Sequence, residues 1–270
     1  MPTAGLAHPA ETRVELSLAR RAVIVAPGPS ATNGDLETIG ATHDVDAIAL
    51  SGLFLMPMYS QLRARAHVLA ASHPPITTAQ WSAWFARLME TGGDTNIFVP
   101  HVDRALVATT PHANDSRLCF YRSVSRSVHA RLPKTLRQRP RVALGGQSVS
   151  TIALSLAIAQ GYQEIGLYGI DHDWILNVGR TRHAYEESDN PLVQNGYSEW
   201  SNDVLFDHEC RSYVNLWADY RLLRAQADAA GVRIVNTSRQ SLLDVFPRVA
   251  LEEFLSPTLQ PSPIASGTHR

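Results

Sequence analysis

Short apolar runs bounded by turn-forming residues recur along the chain. They cover residues 22–26 (AVIVA), 47–50, 67–71, 96–99, 118–121, 165–168 and 232–235. Runs of this length that do not alternate with polar residues fit strands covered on both faces, as in a parallel sheet. The segments between them are long enough for crossover helices. Residues 77–91 carry Trp81, Trp84, Phe85 and Leu88 at helical spacing. Residues 148–160 (SVSTIALSLAIAQ) read as a buried helix stopped by Gly161, and 211–230 as a helix stopped by Gly231. After the first run, Gly28-Pro29-Ser30 makes a turn, and Asn33 or Asp35 caps a short helix ending near Gly40. Strands alternating with helices predict an α/β fold, a mainly parallel Rossmann-like sheet flanked by helices.

Four stretches break this pattern. Residues 1–20, with Pro2, Gly5 and Pro9, read as a loose leader, and the Pro- and Ser-rich residues 257–270 as a flexible tail. Residues 111–140 mix Pro, Ser and basic side chains and fit either a connection or a small subdomain. Residues 174–207 are polar and interrupted by Gly179, Pro191, Asn195 and Gly196, the make-up of a long lid-like loop. The expected organisation is a single catalytic domain over 21–256 that carries this lid.

Composition narrows the classes. With 44% hydrophobic and 18% charged residues among 270, the chain can bury a substantial core. A formal net charge of −1 gives no global attraction to nucleic acid. Two cysteines, Cys119 and Cys210, and the lack of a secretory signal fit a reducing, cytoplasmic setting. No run approaches the ~20 apolar residues that span a bilayer, so any membrane contact is expected to be peripheral. A homo-oligomer is compatible with all of this.

Candidate chemistry gathers just past the carboxyl ends of strands, where α/β sheets bind ligands. At Gly28-Pro29-Ser30, a residue without Cβ lets a phosphate or sugar approach the backbone, and Ser30 adds a hydroxyl. The other reading is a βα turn that binds nothing. Gly145-Gly146-Gln147-Ser148 stands at a helix start, where Ser148 either caps the helix or meets an anion. Neither turn is a Walker A or GxGxxG motif. Gly169-Ile170-Asp171-His172 ends an apolar strand, and a carboxylate there needs donors from the protein or a ligand. Asp171, His172 and Asp173 cluster metal-type donors at a spacing that matches no metal motif, so no metal is expected. His208, ahead of the long helix, is a candidate base or a surface histidine.

The segments VIVAPGPSA (23–31), GGQSVSTIALSLAIAQGYQEIGLYGIDHDW (145–174) and RHAYEE (182–187) resemble the bacterial DUF115 group, also described as MptE-like, whose members occur in surface-polysaccharide gene sets. More distantly they resemble the family 42 sialyltransferases, which share a strand ending in GPS. The resemblance covers most of residues 21–246. It implies a nucleotide-binding α/β domain with a lid, a nucleotide-linked sugar donor such as a CMP-sugar, and no metal. Gly28, Pro29 and Ser30 would then meet the phosphate or ribose, with Ser51, Gly146, Gln147 and Ser148 beside them and Gly169, Asp171 and His172 supporting the site. Tyr185 would bind phosphate, and His208 or His183 would be the base. The expected function is sugar transfer to a glycan or lipid-linked acceptor. Two alternatives stand. One is MptE-like diphosphate transfer from ATP to 6-hydroxymethylpterin, which would bring Mg²⁺ to Asp171 and Asp173. The other is a noncatalytic nucleotide- or glycan-binding protein.

Overall fold

The first apolar run occupies the middle of the sheet. In the computed structural model, which describes residues 20–180, 182–196 and 205–256, it forms β1 (Arg21–Val25), where Ala22, Val23, Ile24 and Val25 are fully buried. The remaining strands are β2 (Val45–Leu50), β3 (Ala66–Val68), β4 (Asn96–Pro100), β5 (Leu118–Val124), β6 (Val142–Leu144), β7 (Glu164–Tyr168) and β8 (Arg233–Asn236). They make an eight-stranded sheet in the order β6-β5-β4-β3-β2-β1-β7-β8. Every pair of neighbours is parallel. This is the expected α/β architecture with helices on both faces.

Alternation along β1 sends successive side chains to opposite cores. Ala22 and Ile24 pack with Leu154 and Leu156 of the helix Val149–Gln160 and with Leu216, Tyr220 and Leu223 of the helix Phe206–Ala230. Val23 and Val25 pack on the other face with Leu36 and Ile39 of the helix Asn33–Ala41 and with Trp81, Phe85 and Leu88 of the helix Thr78–Thr91. The helix Val149–Gln160 is apolar around its circumference because strands and the long helix cover it from both sides.

The chain winds outward from β1 to β6, then crosses back to lay β7 against the other side of β1. Strand order therefore reverses between β1 and β7, and the turns after these two strands are neighbours. A crevice at such a switch point is where open α/β sheets hold ligands.

Several expectations need correction. The short first helix is capped by Thr32, whose hydroxyl accepts from Asp35 N–H, not by Asn33 or Asp35. The basic middle segment holds the helices Arg126–Arg131 and Lys134–Arg137, and just past it an unforeseen strand, β6, is hydrogen-bonded to β5. The long helix starts at Phe206, five positions before the 211 read from the sequence, so His208 rides in its first turn. Segment 174–207 contains one-turn elements at Trp174–Leu176, Glu187–Asp189 and Pro191–Gln194. The leader and tail read from the sequence fall almost wholly outside the described residues, as do Tyr197 and Trp200 of the expected lid. Among the described residues, no helix is long and apolar enough to cross a membrane.

Candidate active site

Two glycine-bearing turns interlock at the switch point. Gly28 N–H donates to the Gly169 carbonyl at 3.0 Å, and Ala26 N–H donates to the Tyr168 carbonyl at 2.9 Å. Gly169 has φ +67°, and a Cβ there would lie 2.1 Å from the Ala26 carbonyl oxygen. A Cβ on Gly28 would lie 2.3 Å from the Gly169 carbonyl oxygen. The two backbones meet with no room for side chains, so Gly28 is required by the packing of the protein itself and not only by an approaching ligand.

Asp171 fastens this junction. It is buried, and its carboxylate accepts from Ser30 N–H at 2.8 Å and from the Ser30 hydroxyl at 2.5 Å. Burial raises its pKa, and the two Ser30 bonds pull it back. The donors a carboxylate needs at this strand end thus come from the protein itself.

Next to the junction lies a cavity of about 380 Å³, within the size range of small-molecule sites. Gly28, Pro29, Ser51, Gln147, Ser148, Gly169, Asp171, His172 and His183 line it, so most of the residues singled out in the sequence converge there. The helix Val149–Gln160 opens on it with Ser148 as N-cap, its hydroxyl accepting from Ser150 N–H. The positive end of a helix suits an anion. Arg180 and Arg182 also line the cavity. Three carboxylates share it and each has a partner: Asp171 holds Ser30, Asp173 takes Arg182 and Asn177, and Glu209 accepts from the Trp174 indole at 2.9 Å.

Positioning groups stand behind the wall. His172 Nε2 meets the Tyr220 hydroxyl at 2.7 Å, Tyr220 meets Ser150 at 2.6 Å, and Ser150 meets Ser148 at 2.7 Å, one chain of hydrogen bonds linking two residues of the cavity wall. His172 has φ +50°, and Tyr213 donates to its carbonyl. Burial pushes its imidazole pKa down to about 3, so the ring is neutral. His67, fully buried, holds the Ser51 carbonyl through Nε2 at 2.7 Å and meets the Tyr59 hydroxyl through Nδ1 at 2.9 Å. It fixes Ser51 at φ +47° on the cavity wall. In the sequence His67 belongs to an apolar run that marks a strand, and nothing local signals its role.

A second cavity of about 320 Å³ adjoins the first and shares Pro27, Ser51 and His183 with it. His183 is therefore on the wall common to both. Its Nδ1 meets Glu187 Oε1 at 2.5 Å, and its ring stacks on Tyr185 with centroids 4.7 Å apart. Ala184 N–H donates to the Pro27 carbonyl at 2.9 Å and ties this segment to the turn after β1. Glu187 was not among the sequence candidates, although a carboxylate four positions after a histidine in RHAYEE is a readable signal.

Besides Ser30, which Asp171 holds and which lines neither cavity, three candidates sit outside the first lining. His208 is exposed in the first turn of its helix and lines neither cavity. Gly146 lies outside both linings, against Asp219, whose Oδ2 would be 2.6 Å from an added Cβ. Tyr185 lines the second cavity and not the first. Among the described residues, no group of three or more His, Cys, Asp or Glu side chains is gathered as a metal site.

Neither a family model nor a curated protein sequence matches the chain. Among solved structures, the fold is similar to that of the monofunctional alpha-2,3-sialyltransferase Cst-I from Campylobacter jejuni. The match has 15% identity and a TM-score of 0.50, covering 86% of this chain and 82% of that one. The sialyltransferase CstII from Campylobacter jejuni, in complex with the substrate analogue CMP-3FNeuAc, matches at 15% identity and a TM-score of 0.45, over 85% of this chain and 86% of that one. At this identity the likeness to Cst-I is one of fold.

Proposed function

We propose that the protein is a glycosyltransferase that moves a sugar from a nucleotide-linked donor to an acceptor hydroxyl, with His183 as general base. One observation carries the proposal: His183, bonded through Nδ1 to Glu187, stands on the wall shared by two adjoining cavities. Glu187 holds the ring through Nδ1, and Nε2 is the atom that takes the proton of the acceptor hydroxyl. The nucleotide occupies the cavity at the switch point, where the start of the helix Val149–Gln160 and Arg180 meet its phosphate. As Nε2 takes the acceptor proton, the acceptor oxygen attacks the anomeric carbon. The bond from that carbon to the phosphate oxygen breaks, its electron pair leaves with the nucleotide, and helix N–H groups and Arg180 stabilise the developing charge. Tyr185 stacks on His183 and orients it.

The fold likeness to a sialyltransferase supports sugar transfer, and the sequence resemblance to family 42 makes CMP-linked donors the first to test. The resemblance to polysaccharide-associated proteins points to a glycan or lipid-linked acceptor. Diphosphate transfer to a pterin is less well supported, because the carboxylates it would use for Mg²⁺ are engaged: Asp171 by Ser30, and Asp173 by Arg182 and Asn177. The test is a thermal-shift series with CMP, UDP, GDP, ATP and their sugar conjugates, with and without Mg²⁺, followed by turnover of whichever conjugate raises the melting temperature. Binding without turnover in the presence of acceptors would leave a noncatalytic nucleotide-binding protein.

A further inference from the structure

The two cavities differ in chemistry. The switch-point cavity has a helix N-terminus and Arg180 and Arg182 on its wall. The second cavity has neither Lys nor Arg among its described lining residues, and Glu187 supplies a carboxylate. Its apolar surface is aromatic. Trp84 of the helix Thr78–Thr91 is half-buried, held edge-on by Phe54 with centroids 4.9 Å apart, and Tyr185 adds a second ring. Neighbouring Trp81 is buried and stacked on Phe85 at 4.7 Å, so it stiffens the wall. Ser72, His73 and Asn190 bring hydrogen-bonding groups to the same space.

Flat rings beside a few polar groups suit a ligand with an apolar face and a rim of hydroxyls. A pyranose ring has that form, its axial C–H bonds packing on an indole while its hydroxyls reach side chains. A carboxylated sugar brings a negative charge toward Glu187 with neither Lys nor Arg in the described lining to offset it.

We infer that the second cavity binds an uncharged pyranose ring of the acceptor, with Trp84 as its stacking platform and Glu187 selecting against acidic sugars. The inference rests on the glycosyl-transfer reading for the word acceptor, but binding of a neutral sugar to this cavity stands or falls by itself. With nucleotide in the first cavity and a pyranose in the second, His183 on the shared wall faces both substrates.

The test uses the full chain. Methyl glycosides of glucose, galactose and mannose, together with glucuronic acid and N-acetylneuraminic acid, are titrated at up to tens of millimolar by saturation-transfer NMR and tryptophan fluorescence. CMP and UDP are titrated separately by calorimetry. At least one neutral glycoside is expected to bind, with ten-fold or greater preference over the acids. Trp84→Ala should weaken it at least ten-fold with nucleotide affinity unchanged, and Trp84→Leu, which keeps an apolar contact with Phe54, should behave likewise. Glu187→Gln should narrow the preference against acids. If no neutral glycoside binds, if it binds both Trp84 variants as well as wild type, or if the acids bind equally well, the inference is overturned. Failure of every nucleotide to bind while a neutral glycoside shows Trp84 dependence would sink the transfer reading and leave the sugar site standing.

Discussion

Ser30 and Asp171, 141 positions apart, are joined by two hydrogen bonds that close the switch point of the sheet. The carboxylate takes both the backbone N–H and the hydroxyl of Ser30, so the turn after β1 is fastened to the end of β7 beside the cavity. Hydrogen bonds to an ionised group contribute about 1.5–3 kcal/mol each, and a buried donor left unpaired costs a similar amount. Asp171→Asn replaces the charged acceptor of both bonds by a neutral amide, and a loss of about 2 kcal/mol is expected. Ser30→Ala leaves the backbone donor in place and should cost about 1 kcal/mol. Denaturant midpoints of the two variants test the order, and equal stability with wild type would show that the clamp contributes nothing.

Gly28 is a second point of tight fit. A Cβ there would be 2.3 Å from the Gly169 carbonyl oxygen and 2.5 Å from Asp171 Oδ2, and the first of these belongs to backbone that cannot swing away. Gly28→Ala should therefore destabilise by about 1–3 kcal/mol, the usual range for overpacking. Gly34 in the first helix has nothing within 4 Å of an added Cβ. Gly34→Ala should be neutral or stabilise by up to about 1 kcal/mol. Thermal melts of the pair decide it, and a Gly28 variant as stable as wild type would restore the view that this glycine serves only an incoming ligand.

Gly28 also marks how far the sequence can be read. Apolar runs and glycine stops were enough to locate β1 to β5, β7, β8 and the main helices, because fully buried strands and capped helices leave local signals. The exception, β6, is a three-residue strand among basic residues and prolines, and it exists through pairing with β5. The cavity lining was largely legible because ligand-binding turns follow strands. Roles set by distant partners were not. His67 matters through Ser51, Tyr220 through His172 and Ser150, and Gly28 through Gly169, and none of these pairings is close in sequence.

Buried neutral histidines should make the fold acid-sensitive. Burial pushes His67 and His129 down to about 4 and His172 down to about 3, from an ordinary value of 6.5. Below 6.5 the unfolded imidazole takes up a proton that the folded one refuses until about 4, so the unfolded state binds more protons in that window. Stability is full above 6.5 and falls as the pH drops toward 4. For His67 alone the change is on the order of 3 kcal/mol at 1.36 kcal/mol per unit. Urea unfolding from pH 7.5 to 4.5 should show this decline, and His67→Gln should flatten it by about one proton. An unchanged slope in that variant would mean that His67 is not buried neutral.

The choice of general base separates two histidines by position. His183 lines both cavities and is held by Glu187, whereas His208 is exposed on the first turn of the long helix and lines neither. A group that removes a proton in the transition state contributes about 10²–10⁴-fold, and its loss falls on kcat rather than on donor affinity. His183→Ala is therefore expected to lower kcat by about that factor with the donor Kd little changed, and His208→Ala to stay within about two-fold of wild type. Glu187→Gln should keep His183 in place but loosen its orientation, giving a smaller loss, roughly ten-fold. Single-turnover rates with a saturating sugar nucleotide measure chemistry apart from product release. A larger loss for His208 than for His183 would transfer the role to the helix, and near-normal rates in both would remove histidine from the proton transfer.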